Sequence, residues 1–150
     1  MPDQETIKRA RQDARQGKSP STQAGEFVRE EFHHIREGKH GARSASQAIA
    51  IGLSKARRSG VKLAPPQQGK VSEKARHQAR LDLKKDGGIG TRKVSARRSK
   101  AIVGALKREG QSAASHLAIS RQPHRSARNR TAAERSATAR KAVRTRRAAS

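Results

Sequence analysis

The chain has 150 residues, with 36 Lys and Arg against 12 Asp and Glu, a formal net charge of +24. Apolar residues make up 31% and the only aromatics are Phe27 and Phe32, which excludes a large single core, while the lack of cysteine excludes disulfides, thiolate zinc sites and a cysteine nucleophile. A compact state this cationic repels itself, so the composition calls for a polyanionic partner.

The excess charge is unevenly placed. Residues 1–38 carry seven basic and seven acidic side chains, 39–60 five and none, 61–90 seven and three, and 91–150 seventeen and two. A near-neutral N-terminal body and a cationic C-terminal arm follow from this segregation. A first helix is expected from about Asp3 to Gln16, stopped by Gly17; with Ile7 among Ala10 and Ala14 it has almost no apolar face and is expected to be solvated. The second helix is predicted from Ser21 or Thr22 to Arg36 or Glu37, before Gly38. Ala24, Phe27, Val28, Glu31, Phe32 and Ile35 recur along it at intervals of three and four, an apolar stripe with one polar interruption.

Ser44 and Gln47 stand at capping-box spacing ahead of a third helix, in which Ala48, Ile49, Gly52, Leu53 and Ala56 share a face. Gly60 ends it with Val61 folding back, so the second and third helices form an antiparallel hairpin whose approach Gly52 permits. Beyond Pro65-Pro66 the pattern weakens. Ser72 caps a helix through Lys85 whose large apolar residues are only Leu81 and Leu83, and Gly87-Gly88-Ile89-Gly90 is a flexible break. A fifth, basic helix runs from about Ser95 to Arg108, with Gly110 after it.

From Gln111 onward the chain has ten basic residues, one acidic residue, and only Leu117, Ile119 and Val143 as sizeable apolar groups. That stretch cannot build its own core, although Ala and Arg are good helix formers and helix is expected once a polyanion neutralises its self-repulsion. The expected architecture is all-α. It comprises a solvated helix and linker at 1–19, a helical hairpin at 20–64, a weak helix and flexible linkers at 65–94, a basic helix at 95–110, and a long, partly disordered basic arm at 111–150.

Two segments look like the start of a DNA-reading helix-turn-helix, Ala48 to Ser54 and His116 to Ser120. The first is followed only by Lys55-Ala56-Arg57-Arg58-Ser59 before Gly60, and Pro123 follows the second, so sequence-specific major-groove reading is not expected. Glu30, His33, His34 and Glu37 crowd one helix, and Glu31 to His34 has the Glu-x-x-His spacing of di-iron sites. That class needs a second such motif on a partner helix, so no metal or other cofactor is expected. No triad, phosphate-cradling glycine loop or acidic metal cluster is legible, and no enzymatic activity is expected.

Residues 26–40, Glu26-Phe27-Val28-Arg29-Glu30-Glu31-Phe32-His33-His34-Ile35-Arg36-Glu37-Gly38-Lys39-His40, precede Ser46-Gln47-Ala48-Ile49-Ala50-Ile51-Gly52-Leu53-Ser54-Lys55-Ala56. This pair of segments resembles a family of small, basic bacterial proteins of uncharacterised function, loosely labelled DNA-binding. The resemblance spans about residues 20–63 and implies no catalytic residue. The Ala/Arg-rich arm is similar in composition to the tails of bacterial histone-like proteins.

The expected function is therefore DNA binding without strong sequence preference, by a nucleoid-associated protein of the cytoplasm. Lys39, His40, Arg43, Lys55, Arg57 and Arg58 would form a cationic edge on the hairpin, with Arg97, Arg98 and Lys100 on the basic helix. Arg121, Arg125 and Arg128, and again Arg140, Arg144 and Arg147, stand at i, i+4, i+7 spacing and would project from one helix face. RNA or ribosome binding is the runner-up, and a protein-interaction module with a basic tether the third reading; homodimerisation of the hairpin is left open. Membrane insertion is not expected. The longest stretch without polar side chains is Ala48 to Leu53, far short of the roughly 20 residues a span requires, and no secretory signal follows Met1.

Overall fold

The structure, a computed structural model, describes residues 2–84 and 95–148. Its order is α1 (Gln4–Arg15), α2 (Pro20–Arg36), α3 (Ala45–Arg58), α4 (Glu73–Lys84), α5 (Ala96–Lys107), a 3-10 turn (Ser112–Ala114), α6 (His116–Arg128) and α7 (Ala132–Ala148), with no strand among the described residues. The chain divides into two compact units, Met1–Ser115 and His116–Ser150. The glycine-rich break expected at 87–90 lies outside the described residues.

In the first unit α2 and α3 form the hairpin. Helix α2 starts earlier than expected, because Ser19 is its N-cap, accepting from Thr22 N at 3.4 Å, and Pro20 takes the first helical position. Pro has no N–H to lose there and its φ is already helical. Ser44 caps α3 by accepting from Gln47 N at 3.2 Å, while the Gln47 side chain returns to Arg43 N at 2.8 Å. At the other end Gly60 takes φ 93° and Val61 N reaches Ala56 O at 3.1 Å, the Schellman closure expected from Gly60 and Val61.

The face of α3 laid on α2 is its ridge of small residues, Ala48, Gly52 and Ala56, all buried, whereas Ile49 and Leu53 sit half-buried at its edges. A Cβ on Gly52 would stand 2.7 Å from the Val28 Cα and 3.0 Å from the Phe27 carbonyl oxygen. Gly52→Ala is therefore expected to prise the hairpin apart and cost about 1–3 kcal/mol, the usual range for overpacking, read as a lower denaturation midpoint. A midpoint equal to wild type would show that the helices separate at no cost.

Two apolar clusters lie along the hairpin. One gathers Ile7, Ala10, Ala24, Phe27, Ala56 and Val61, with Leu53 and Leu63 against it. The other gathers Ile35, Ala42, Ala48, Ala113 and Ala114, with Phe32 against it. The expectation of a solvated first helix is corrected here. Thr6, Ile7 and Ala10 are buried, and Arg9 Nε pairs with Glu26 at 2.7 Å on α2. A stripe this narrow suffices because Phe27 and Val61 supply the other half of the contact, which periodicity within α1 does not reveal.

Helix α4 begins after Ser72, whose hydroxyl accepts from Ala75 N at 3.3 Å. It meets α3 through Ala79 and buried Asp82, which accepts from Ser54 Oγ and from Gln78 Nε2, while Leu81 points to solvent. The segment after α5 returns to the hairpin. Gly41 N donates to Leu106 O at 2.9 Å, Ala42 N to Gly110 O at 3.1 Å, and Arg36 Nε to Ala114 O at 3.1 Å. The first five residues assigned to the basic arm, 111–115, thus belong to the folded body.

The second unit corrects the expectation of a partly disordered arm, since it is helical from His116 to Arg128 and from Ala132 to Ala148. Thr131 and Glu134 form a capping box at the start of α7: Thr131 Oγ1 accepts from Glu134 N at 3.2 Å and Glu134 Oε2 from Thr131 N at 2.9 Å. Good helix formers behind that cap propagate the helix without an apolar face. Helix α6 also runs through Pro123, where a break was expected. Proline's φ is helical, and the helix forgoes one hydrogen bond there. His116 to Ser120 is thus part of one continuous helix and opens no helix-turn-helix.

Candidate nucleic-acid interface

The six hairpin residues expected to form a cationic edge separate into two groups. Lys39 is exposed and pairs with Glu37 at 2.9 Å, which raises the lysine pKa and lowers that of the glutamate. Arg43 is exposed, with Glu109 at 3.6 Å, and Arg58 is exposed, its Nε donating to Ser54 O at 3.3 Å. The other three point inward. Arg57 is buried and donates to Leu63 O at 3.1 Å and Ala64 O at 3.3 Å, tying down the chain ahead of Pro65; burial lowers its pKa.

Lys55 and His40 enter a polar layer between the two apolar clusters along α2. Its centre is Glu31, the polar interruption in the stripe, which falls midway between Phe27 and Ile35 and is 0% exposed. Lys55 Nζ stands 2.7 Å from Glu31 Oε2 and 3.4 Å from Glu30 Oε1, while His40 Nε2 stands 3.3 Å from Glu31 Oε1. Neither Glu31 oxygen accepts a hydrogen bond of regular geometry. His34 lies beside them with Nε2 at 3.2 Å from Asp3 Oδ2 and Nδ1 at 3.9 Å from Glu30 Oε1. The His34 hydrogen bond is the main cause of a lowered Asp3 pKa.

Glu30, Glu31 and Asp3 do not stand out in the sequence as members of one cluster. The signal for Glu31 is its place on an otherwise apolar stripe. Nothing local marks Asp3, which reaches the cluster because α1 docks.

Arg97, Arg98 and Lys100 are exposed on the first two turns of α5, whose N-cap Ser95 accepts from Arg98 N at 3.4 Å. In the second unit Arg121, Arg125 and Arg128 are exposed on α6, and Arg140, Arg144 and Arg147 on α7. At 3.6 residues per turn each trio spans an arc of about 60°. None of these six enters an ion pair or side-chain hydrogen bond among the described residues. The unit's single acid, Glu134, is occupied in the α7 cap. No helix among the described residues is long and apolar enough to cross a membrane.

These features define an all-helical protein with a hairpin body, an ionic layer inside it, and a second unit of two arginine-lined helices. Comparison with protein-family models, curated proteins and solved structures finds no match for the chain.

Proposed function

We propose that the protein binds duplex DNA along the phosphate backbone, with little sequence preference, as a nucleoid-associated protein. The observation that carries this reading is the pair of exposed arginine trios on α6 and α7, in a unit with ten basic residues and one acid. Each guanidinium offers a planar fork that donates two parallel hydrogen bonds to a phosphate, and helical spacing holds three of them in a row. Every phosphate neutralised releases condensed counterion, so salt governs the affinity. Little in these helices would read bases, because neither α6 nor α7 exposes an Asn or Gln, the amide side chains that pair with adenine.

Duplex is favoured over single strands because stacking on bases needs exposed aromatics, and the two phenylalanines serve the hairpin: Phe27 is buried and Phe32 packs against the second cluster. Changing Arg140, Arg144 and Arg147 together to Gln is expected to lower the slope of log affinity against log salt by up to about 3, at about 0.9 per phosphate. Fluorescence anisotropy with random-sequence duplex at several salt concentrations reads this directly. An unchanged slope would overturn backbone binding through α7, and preference for structured RNA at matched salt would move the reading to RNA.

A further inference from the structure

The layer inside the hairpin has donors that the phosphate-binding reading does not use. Glu31 and His34 sit three residues apart on one face of α2. At the helix end Gly38 takes φ 73° and Lys39 N turns back to His34 O at 3.0 Å, which folds the following residue, His40, over the same face. One ligand atom from each of Glu31, His34 and His40 then lies within 4.8 Å of the others. On sequence grounds a metal is not expected, for want of a second Glu-x-x-His on a partner helix. The fold supplies the third ligand from a loop instead.

We propose that Glu31, His34 and His40 form a binding site for a first-row transition dication of the zinc class. Three observations support it. First, Glu31 Oε1 and His40 Nε2 are 3.3 Å apart. Two ligands of one tetrahedral zinc, each at about 2.0–2.1 Å, stand about 3.3 Å apart. Second, both Glu31 oxygens are buried without a regular hydrogen bond, a state that costs free energy unless a cation completes it. The two oxygens divide the work: Oε2 faces the Lys55 ammonium, and Oε1 faces His40 and is left for the ion.

The third observation is charge. Asp3, Glu30 and Glu31 bring three carboxylates together, and among the described residues Lys55 is the one ammonium paired with them, at 2.7 Å from Glu31 and 3.4 Å from Glu30. Lys39, on the rim, is engaged with Glu37. With both imidazoles neutral, as metal ligation requires, two negative charges remain, and a dication balances them. Imidazole donors select the zinc class over magnesium or calcium, which take oxygen ligands. Asp3 stands where an outer-shell partner belongs, its Oδ2 at 3.2 Å from His34 Nε2, as carboxylates stand behind the histidines of zinc sites. His34, Glu31 and His40 are largely enclosed, so an ion there would hold α2, its C-terminal loop and the N-terminal segment together.

The test uses the full chain, stripped with chelator and then titrated with zinc against a chromophoric competitor, and with cobalt(II), whose visible spectrum reports a tetrahedral N/O site. One equivalent per chain is expected, with the melting temperature raised by zinc. His40→Gln and His34→Gln should each weaken binding by more than the roughly 10–100-fold typical of an outer-shell loss, and Asp3→Asn by about that 10–100-fold. His33→Gln, on the exposed face of α2 beside Glu37, should bind as wild type. His40 lies in a loop, so its variant should keep the wild-type circular dichroism even if His34→Gln does not fold. Absence of a stoichiometric ion, or equal binding by His40→Gln and wild type, would overturn the site. Neither readout involves nucleic acid, so failure here leaves the proposed function standing and its failure leaves the metal site standing.

Discussion

Deleting residues 116–150 is expected to flatten the salt dependence of duplex binding while leaving the first unit folded. The deletion removes ten basic side chains and one acid. If each basic side chain neutralises at most one phosphate, the slope of log affinity against log salt falls by up to about 9. The cut belongs after Ser115 because Ala113 and Ala114 are buried in the second apolar cluster and Ala114 O accepts from Arg36. A cut after Gly110 would strip that cover and confuse loss of binding with loss of folding. Anisotropy titrations at several salt concentrations, beside a thermal melt of both proteins, separate the two effects. Full affinity and full slope in the truncated chain would place the phosphate contacts on α5 and the hairpin.

Lys55→Met is expected to be among the most destabilising single changes in the hairpin. It leaves the Glu31 carboxylate, 0% exposed, and its neighbour Glu30 without the ammonium that faces both. Breaking a buried pair from one side typically costs about 3–5 kcal/mol, because the surviving charge stays desolvated. Replacing Lys55→Met together with Glu31→Leu should recover the part of that loss that Glu31 carries, since that apolar pair needs no compensation, while Glu30 still lacks the ammonium. Denaturant titration in metal-free buffer gives both numbers. Wild-type stability in the single variant would mean that water reaches Glu31. Where the variant is still folded, its salt slope on duplex should match wild type, which distinguishes an internal lysine from a phosphate contact.

The helical ends were legible because their signals are local. Ser44 with Gln47, Gly60 with Val61, Ser72 and Ser95 each place a donor or acceptor within one turn of its partner, so reading a few residues suffices. The same local rules start two further helices, at Ser19-Pro20 and at Thr131-x-x-Glu134. After residue 111 the missing core and the charge oppose order, and helix propensity favours it. The capping box and the Ala/Arg content decide in favour of helix, since intrahelical hydrogen bonds need no tertiary partner.

By itself, then, the sequence determined an all-α chain, the hairpin with a glycine at its closest approach, and the placement of most of its positive charge on segments without a core of their own. Only the tertiary structure decided which charged residues are surface. Lys55 and Arg57 read as cations of an exposed edge, and both turn inward to partners on another helix or the following loop. His34, His40, Glu31 and Asp3 are spread over 38 residues and meet because α1 docks and the chain reverses at Gly38. The physical reason is that charge and periodicity belong to one segment, whereas the cost of burying a charge is settled by what the neighbouring segments bring to it.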